Sequence, residues 1–135
     1  MAKAGLCSIA YKKKSISWVL DIAAKAGADG VEIWGQPDHI RYPIDGTNLR
    51  DIREHAEALA LEICALGSYY AAGGAVEYAK VRLDARNQVK LARDLGAPVI
   101  RIWPGVKSRA DSTEAEVRRI IDDIRLSRIT LETRR

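Results

Sequence analysis

The sequence is short of cysteine, of long apolar runs and of glycine-rich phosphate turns, and each shortage removes a class of protein. Its two cysteines, Cys7 and Cys64, both lie in strand-like runs. Cysteine there behaves as a small hydrophobe, with a disulfide or a metal pair as the lesser alternative, and a reducing cytoplasm is expected. No apolar stretch approaches the ~20 residues that span a bilayer. The N-terminus, Met1-Ala2-Lys3-Ala4, enters a strand-like run at once, without signal-peptide architecture. Where a nucleotide-binding fold would place G-x-G-x-x-G or a P-loop, the chain reads Tyr11-Lys12-Lys13-Lys14-Ser15, which argues against Rossmann-type binding. Charge of one sign is scarce too, with 22 basic residues against 18 acidic. The small excess lies late, at Arg118, Arg119, Arg125, Arg128, Arg134 and Arg135. Solvated helix faces account for it, and a nucleic-acid or phosphate partner is the alternative.

What is present is ordinary globular material: 135 residues, 47% hydrophobic and 30% charged. One domain is expected over 1–135, long enough to bury roughly two-thirds of its unfolded surface. Its most informative feature is a segment that occurs twice. Ala26-Gly27-Ala28-Asp29-Gly30-Val31-Glu32-Ile33-Trp34-Gly35 aligns with Leu95-Gly96-Ala97-Pro98-Val99-Ile100-Arg101-Ile102-Trp103-Pro104. Each copy reads as helix end, Gly cap, buried strand and loop. Glu32 in one copy stands where Arg101 stands in the other. A strand with branched apolar residues on one side and a charge on the other packs under a helix and needs a partner for the charge.

The remaining chain repeats that unit. Gly5–Ala10 reads as strand one, followed by a helix capped by Ser15 or Ser17 with Ile16, Val19, Leu20 and Ala23 inward and Gly27 ending it. Strand two is Val31–Trp34, then a long polar and aromatic loop from Gly35 to Gly46. Thr47 or Asn48 caps the second helix, and Glu62–Ser68 is strand three. Tyr69-Tyr70-Ala71-Ala72-Gly73-Gly74 reads as a loop, and a long helix is predicted from about Ala75 to Leu95. Strand four follows, then a helix capped by Ser112 or Thr113, and Ile129–Glu132 reads as a fifth strand. Strand–helix alternation argues for parallel strands with right-handed crossovers. Polar residues on the inner side of strands two, four and five favour a barrel over a doubly wound sheet.

Together, the two repeated segments, Trp103-Pro104-Gly105 and Ile129-Thr130-Leu131-Glu132-Thr133 resemble the xylose isomerase-like TIM barrels, a superfamily of sugar phosphate isomerases and epimerases, inosose dehydratases and the endonuclease IV branch. The resemblance implies an α/β fold of (βα)4 plus a fifth strand, half of a barrel that needs ~250 residues when complete. It also implies a divalent metal (Mn, Mg or Co) held by four ligands from later strands, of which the first corresponds to Glu132. A carboxylate there would hold the metal and shuttle a proton beside a sugar carbonyl. The other three ligands have no counterpart in these 135 residues. The helix passes to the expected fifth strand through Ser127-Arg128, without the Gly turn that precedes strands two and four.

Candidate residues follow. Glu132 is the metal and catalytic candidate, or else a plain polar residue. Trp34, Tyr69, Tyr70 and Trp103 fall at or just after strand ends, where flat rings wall a sugar pocket or pack as a hydrophobic lid. His39 is a substrate contact or a surface residue; His55 is structural. Glu32 and Arg101 are expected to pair inward. Four or five strands that do not close leave two open edges, so a homodimer or an oligomer with exchanged elements is expected. Three functions remain open: a sugar isomerase or epimerase, a non-catalytic half-barrel whose property is assembly, and nucleic-acid binding through the Arg-rich end. Against the last, the position before Pro104-Gly105, a His ligand in the endonuclease branch, is Trp103.

Overall fold

Each strand of the sheet is followed by a helix, and the first three helices send apolar side chains into the core. The computed structural model describes residues 2–73, 80–105 and 107–132. Strand β1 (Gly5–Cys7) leads through a short 3-10 turn (Ser8–Tyr11) to helix α1 (Ile16–Lys25). Then come β2 (Gly30–Trp34), α2 (Gly46–Ala58), β3 (Glu62–Ala71), α3 (Ala85–Leu95), β4 (Ile100–Trp103) and α4 (Glu114–Glu132). The four strands are parallel in the order β1-β2-β3-β4, so the sheet is open at β1 and at β4. This is the α/β arrangement of half a TIM barrel.

Local chemistry sets the boundaries. Ser15 caps α1 by accepting from the Trp18 amide, and Asp84 caps α3 by accepting from Asn87 N at 2.8 Å. Asp45, rather than Thr47 or Asn48, caps α2 through the Thr47 amide at 2.9 Å. Thr113 and Glu116 form a reciprocal capping box at the start of α4. Gly27 and Gly96 end their helices with φ of 74° and 78°, the left-handed geometry that the two repeated segments share.

The core lies between sheet and helices. Val31 and Ile33 of β2, Leu66 of β3, Val19 and Leu20 of α1 and Leu91 and Leu95 of α3 are fully buried. On β2, Glu32 and Trp34 alternate with these and face the other side. Among the described residues, no helix is long and apolar enough to cross a membrane.

Three expectations are corrected. Ile129–Glu132 is not a fifth strand but the end of α4. No Gly or Pro between Arg125 and Arg128 stops the helix, and without a stop the helix runs on. Glu132 accordingly sits on a helix and not at a strand end. The long helix from Ala75 begins only at Ala85; residues 74–79 of that prediction lie outside the described residues. Lys80 and Val81 are not helical because Gln36 takes their backbone groups, as shown below. Strand β3 runs on to Ala71, so Tyr69 and Tyr70 belong to the sheet and not to a loop. Aromatic residues suit a pleated, half-buried surface.

Candidate functional site: the inner face of the sheet

The face of the sheet opposite the helices carries the Glu32–Arg101 ion pair, the Cys7 thiol and a row of aromatic rings. Glu32 on β2 and Arg101 on β4 reach over the intervening strand β3. Arg101 Nε donates to Glu32 Oε1 at 3.0 Å and Oε2 at 3.3 Å, and Nη2 lies 3.0 Å from Oε1. The pair crosses above Gly67, where a Cβ would sit 2.6 Å from Glu32 Oε1 and 2.9 Å from Arg101 Nη2. Burial works against the Arg101 charge, yet the Glu32 hydrogen bonds and charge outweigh it and raise the guanidinium pKa. Cys7 Sγ donates to Glu32 Oε1 at 3.0 Å. Burial, then the Glu32 carboxylate, push the Cys7 thiol up. Cys7 and Cys64 are both free.

Toward the C-terminal end of the strands the rings take over. Trp34 meets Tyr69 edge-on at 6.3 Å between centroids, and Tyr69 and Trp103 lie parallel at 6.2 Å. Arg101 stands over the Trp103 ring at 5.3 Å, an attraction between cation and ring face. Trp103 Nε1 donates to the Ser68 carbonyl at 3.2 Å. Trp34 is 7% exposed, and among the described residues its Nε1 meets no hydrogen-bond acceptor. The structure therefore gathers three of the five substrate-contact candidates, Trp34, Tyr69 and Trp103, in one continuous row.

Another candidate, His39, is no surface residue. It is 3% exposed and packs edge-on against Trp34 at 5.5 Å. Ser8 Oγ, also buried, accepts from the Trp34 backbone amide at 2.8 Å and lies 2.9 Å from His39 Nδ1. With its oxygen occupied by that amide, the Ser8 hydroxyl proton is free to go to Nδ1, which makes His39 an acceptor there. Burial holds the imidazole below its ordinary pKa of 6.5, although the Tyr11 and Lys14 carbonyls and Asp38 pull the other way.

Gln36 closes the loop after β2. It is 2% exposed. Its Nε2 donates to the Gly35 and Val81 carbonyls at 2.8 and 3.0 Å, and its Oε1 accepts from the Lys80 and Val81 amides at 2.9 and 3.1 Å. Tyr42, in the same loop, donates to the Gly35 carbonyl at 3.2 Å, and burial pushes its hydroxyl up to about 12. Gln36, Ser8, Cys7 and Gly67 were not identified from sequence. The signal available for Gly67 was an isolated Gly within a strand pattern, which marks a close approach.

The described residues do not gather a ligand set for a divalent metal. Among those described, no cluster of three or more His, Cys, Asp or Glu side chains is placed to hold one. Glu32, the carboxylate on the inner face, is already held by Arg101 and Cys7.

An open, parallel half-barrel with a polar and aromatic inner face defines the class of protein. Residues 20–129 match the xylose isomerase-like TIM barrel family. The chain belongs to that family. No curated protein matches the sequence. Among solved structures it is similar to the probable 3-DHS dehydratase AsbF of Bacillus anthracis, with 22% identity and a TM-score of 0.72, covering 96% of this chain and 48% of that one. It also resembles the D-psicose 3-epimerase of Clostridium cellulolyticum H10, solved with D-tagatose, at 14% identity and a TM-score of 0.69, covering 98% and 49% of the two chains. A xylose isomerase domain protein from Planctomyces limnophilus matches at 10% identity and a TM-score of 0.64, covering 97% and 50%. At these identities the likeness establishes the fold. The chain spans about half the length of each of these three structures.

Proposed function

We propose that this chain forms one half of a chamber that binds a small sugar or sugar phosphate, in the manner of the isomerases and epimerases its fold resembles. The observation that carries this reading is the row Trp34–Tyr69–Trp103, which shares one face with the Glu32–Arg101 pair. Flat rings offer stacking surface to the C–H faces of a sugar, and polar groups beside them fix its orientation. Arg101 leans over Trp103 and can offer N–H donors to a hydroxyl or phosphate oxygen. His39 acts on this wall by packing against Trp34. Glu32 is spoken for by Arg101, so the described residues supply binding and orientation, and proton transfer at a carbonyl falls to groups contributed by a partner. Two open edges call for such a partner, and a homodimer or an oligomer with exchanged elements meets that need.

Titration of tryptophan fluorescence with keto- and aldo-sugars and their phosphates tests the reading, with and without Mn²⁺, Mg²⁺ or Co²⁺. A saturable change that is lost in Trp103→Ala is expected. No response to any member of the series would remove the binding claim.

A second reading is a half-barrel without catalysis, whose property is assembly. The absence of a metal-ligating cluster among the described residues favours it. Sugar binding without turnover under any of the three metals is the result that would select it.

A further inference from the structure

Three buried side chains from two different connections meet behind the ring wall. Ser8 lies in the turn after β1, Trp34 at the end of β2 and His39 in the loop that follows it, each less than a tenth exposed. One hydroxyl joins them: Ser8 Oγ accepts from the Trp34 amide and lies 2.9 Å from His39 Nδ1. The imidazole packs edge-on against the Trp34 ring at 5.5 Å, and Trp34 in turn meets Tyr69. His39 therefore backs the row Trp34–Tyr69–Trp103 at its Trp34 end.

This arrangement suits a neutral imidazole only. Ser8 gives its proton to Nδ1 while its oxygen takes the Trp34 N–H. A charged imidazole donates at both nitrogens. Ser8 Oγ then faces two donors, and its own hydrogen loses its acceptor, since Trp34 and His39 are its hydrogen-bond partners among the described residues. On the other side of the ring, Nε2 has no hydrogen-bond partner among the described residues. A buried charge met in this way is costly. The charged groups around His39 do not offset the cost. Asp38, next in the chain, is bound by Lys80 at 2.7 Å, and burial outweighs what Asp38 and the Tyr11 and Lys14 backbone offer the cation. The Lys14 ammonium stands over the Trp18 ring at 5.2 Å, and the Tyr11 ring packs against Trp18 too. Gln36, whose carbonyl accepts from the His39 amide at 2.9 Å, carries no charge.

We infer that His39 is a pH-sensitive latch on the ring wall: a proton on Nδ1 breaks the Ser8 relay, the imidazole leaves its place beside Trp34, and the row loosens. The latch itself stands on the Ser8–His39–Trp34 geometry; its consequence for sugar binding rests on the function proposed above. The sign is fixed. The wall is whole where His39 is neutral and opens as pH falls. Other groups on the inner face keep their charge through that window. Arg101 stays a cation in its pair, and the Cys7 and Cys64 thiols, both pushed up, stay protonated.

With two histidines and three tryptophans in the chain, NMR can follow each ring separately as pH is lowered from about 8 to about 5. His55→Gln and Trp34→Phe assign the resonances, and calorimetry measures binding of D-fructose and D-glucose at each pH. The expected result is that the Trp34 indole and His39 imidazole signals of the native chain move with one midpoint. Sugar affinity should fall through the same midpoint, by about tenfold for each pH unit below it, as follows when only the neutral form is competent. His39→Gln should abolish the Trp34 transition and flatten the binding profile; if that variant does not fold, the native titration decides alone. Trp34 signals that stay in place while His39 titrates, or a sugar affinity that is level across the His39 midpoint, would overturn the latch and leave the sugar reading standing. Rings that titrate together in a chain that binds neither sugar at any pH would support the latch and count against the sugar reading.

Discussion

Glu32 and Arg101 sit two strands apart and still touch at 3.0 Å, because Gly67 between them has no side chain. The repeat in the sequence places an acid and a base at matching points of β2 and β4; the glycine of β3 provides the opening through which they meet. Gly67→Ala sets a methyl group against both partners, and Gly67→Val forces them apart. Because the atoms in the way are the flexible ends of two partly exposed side chains, the alanine is expected to cost little, under about 1 kcal/mol, and the valine, which parts the pair, more, within the roughly 1–3 kcal/mol of overpacking. Urea midpoints measure it. Gly46→Ala is the control, because nothing lies within 4 Å of a Cβ there, and it is expected to be neutral or slightly stabilising.

Gln36 has a different kind of leverage. Its four hydrogen bonds hold the backbone of Lys80 and Val81 against the end of β2. Gln36→Leu keeps the bulk but leaves two amides and a carbonyl without partners, at about 1–3 kcal/mol for each group that stays buried. The loss is expected to be partial because Lys80 is exposed and water reaches it. The sharper readout is hydrogen exchange. Protection of the Lys80 and Val81 amides should disappear in the variant while the β2 amides remain protected. Equal loss along β2 would mean that Gln36 supports the whole sheet rather than this attachment.

How far the sequence anticipates the fold depends on whether a feature is local. The two Gly caps, the apolar stripes of α1 and α2 and the inward Glu32–Arg101 pair were legible because period and spacing carry them. The end of α4 was not. Ile129-Thr130-Leu131-Glu132 has strand composition, and only the absence of a stop signal upstream tells that the helix continues. Tyr69 and Tyr70 looked like a loop because Gly73 and Gly74 follow closely, yet pairing with β4 carries the strand to Ala71. The late start of α3 depends on Gln36, whose partners lie more than forty residues away. The aromatic row was half visible: ring positions follow strand ends, but the burial of His39 needs Ser8, from a different strand–helix connection.

His39 carries a pH dependence whose sign follows from its burial. Its folded pKa lies below the ordinary 6.5, so the unfolded chain takes up the proton more readily. Stability from neutral His39 is therefore fully present above about pH 6.5 and is lost as pH falls toward the folded value. Urea midpoints between pH 7.5 and 5 should decline more steeply for the native chain than for His39→Gln. Parallel curves would show that His39 does not titrate differently on folding. Asp38, held low by its hydrogen bond to Lys80, loses its contribution only as pH falls below the carboxylate range, so it does not mimic this window.

The inner face also governs its own thiol, and here the two charges act in opposite senses. Burial raises the Cys7 pKa first, the Glu32 hydrogen bond raises it further, and Arg101 lowers it. Only the thiolate alkylates, so the rate at a fixed pH near 8 follows this balance. Glu32→Gln keeps the shape, removes the negative charge and leaves Arg101 facing the sulfur. Alkylation of Cys7 by iodoacetamide, followed by peptide mass spectrometry, should accelerate roughly threefold or more. Arg101→Met removes the opposing influence and should slow it. Cys64 is an internal reference for Arg101→Met, because Arg101 is not among its influences; it feels the Glu32 charge without a hydrogen bond to it, so it should respond less than Cys7 to Glu32→Gln. If both substitutions accelerated Cys7 alike, exposure rather than charge would be in control, and the three side chains could not form the coupled group that the geometry describes.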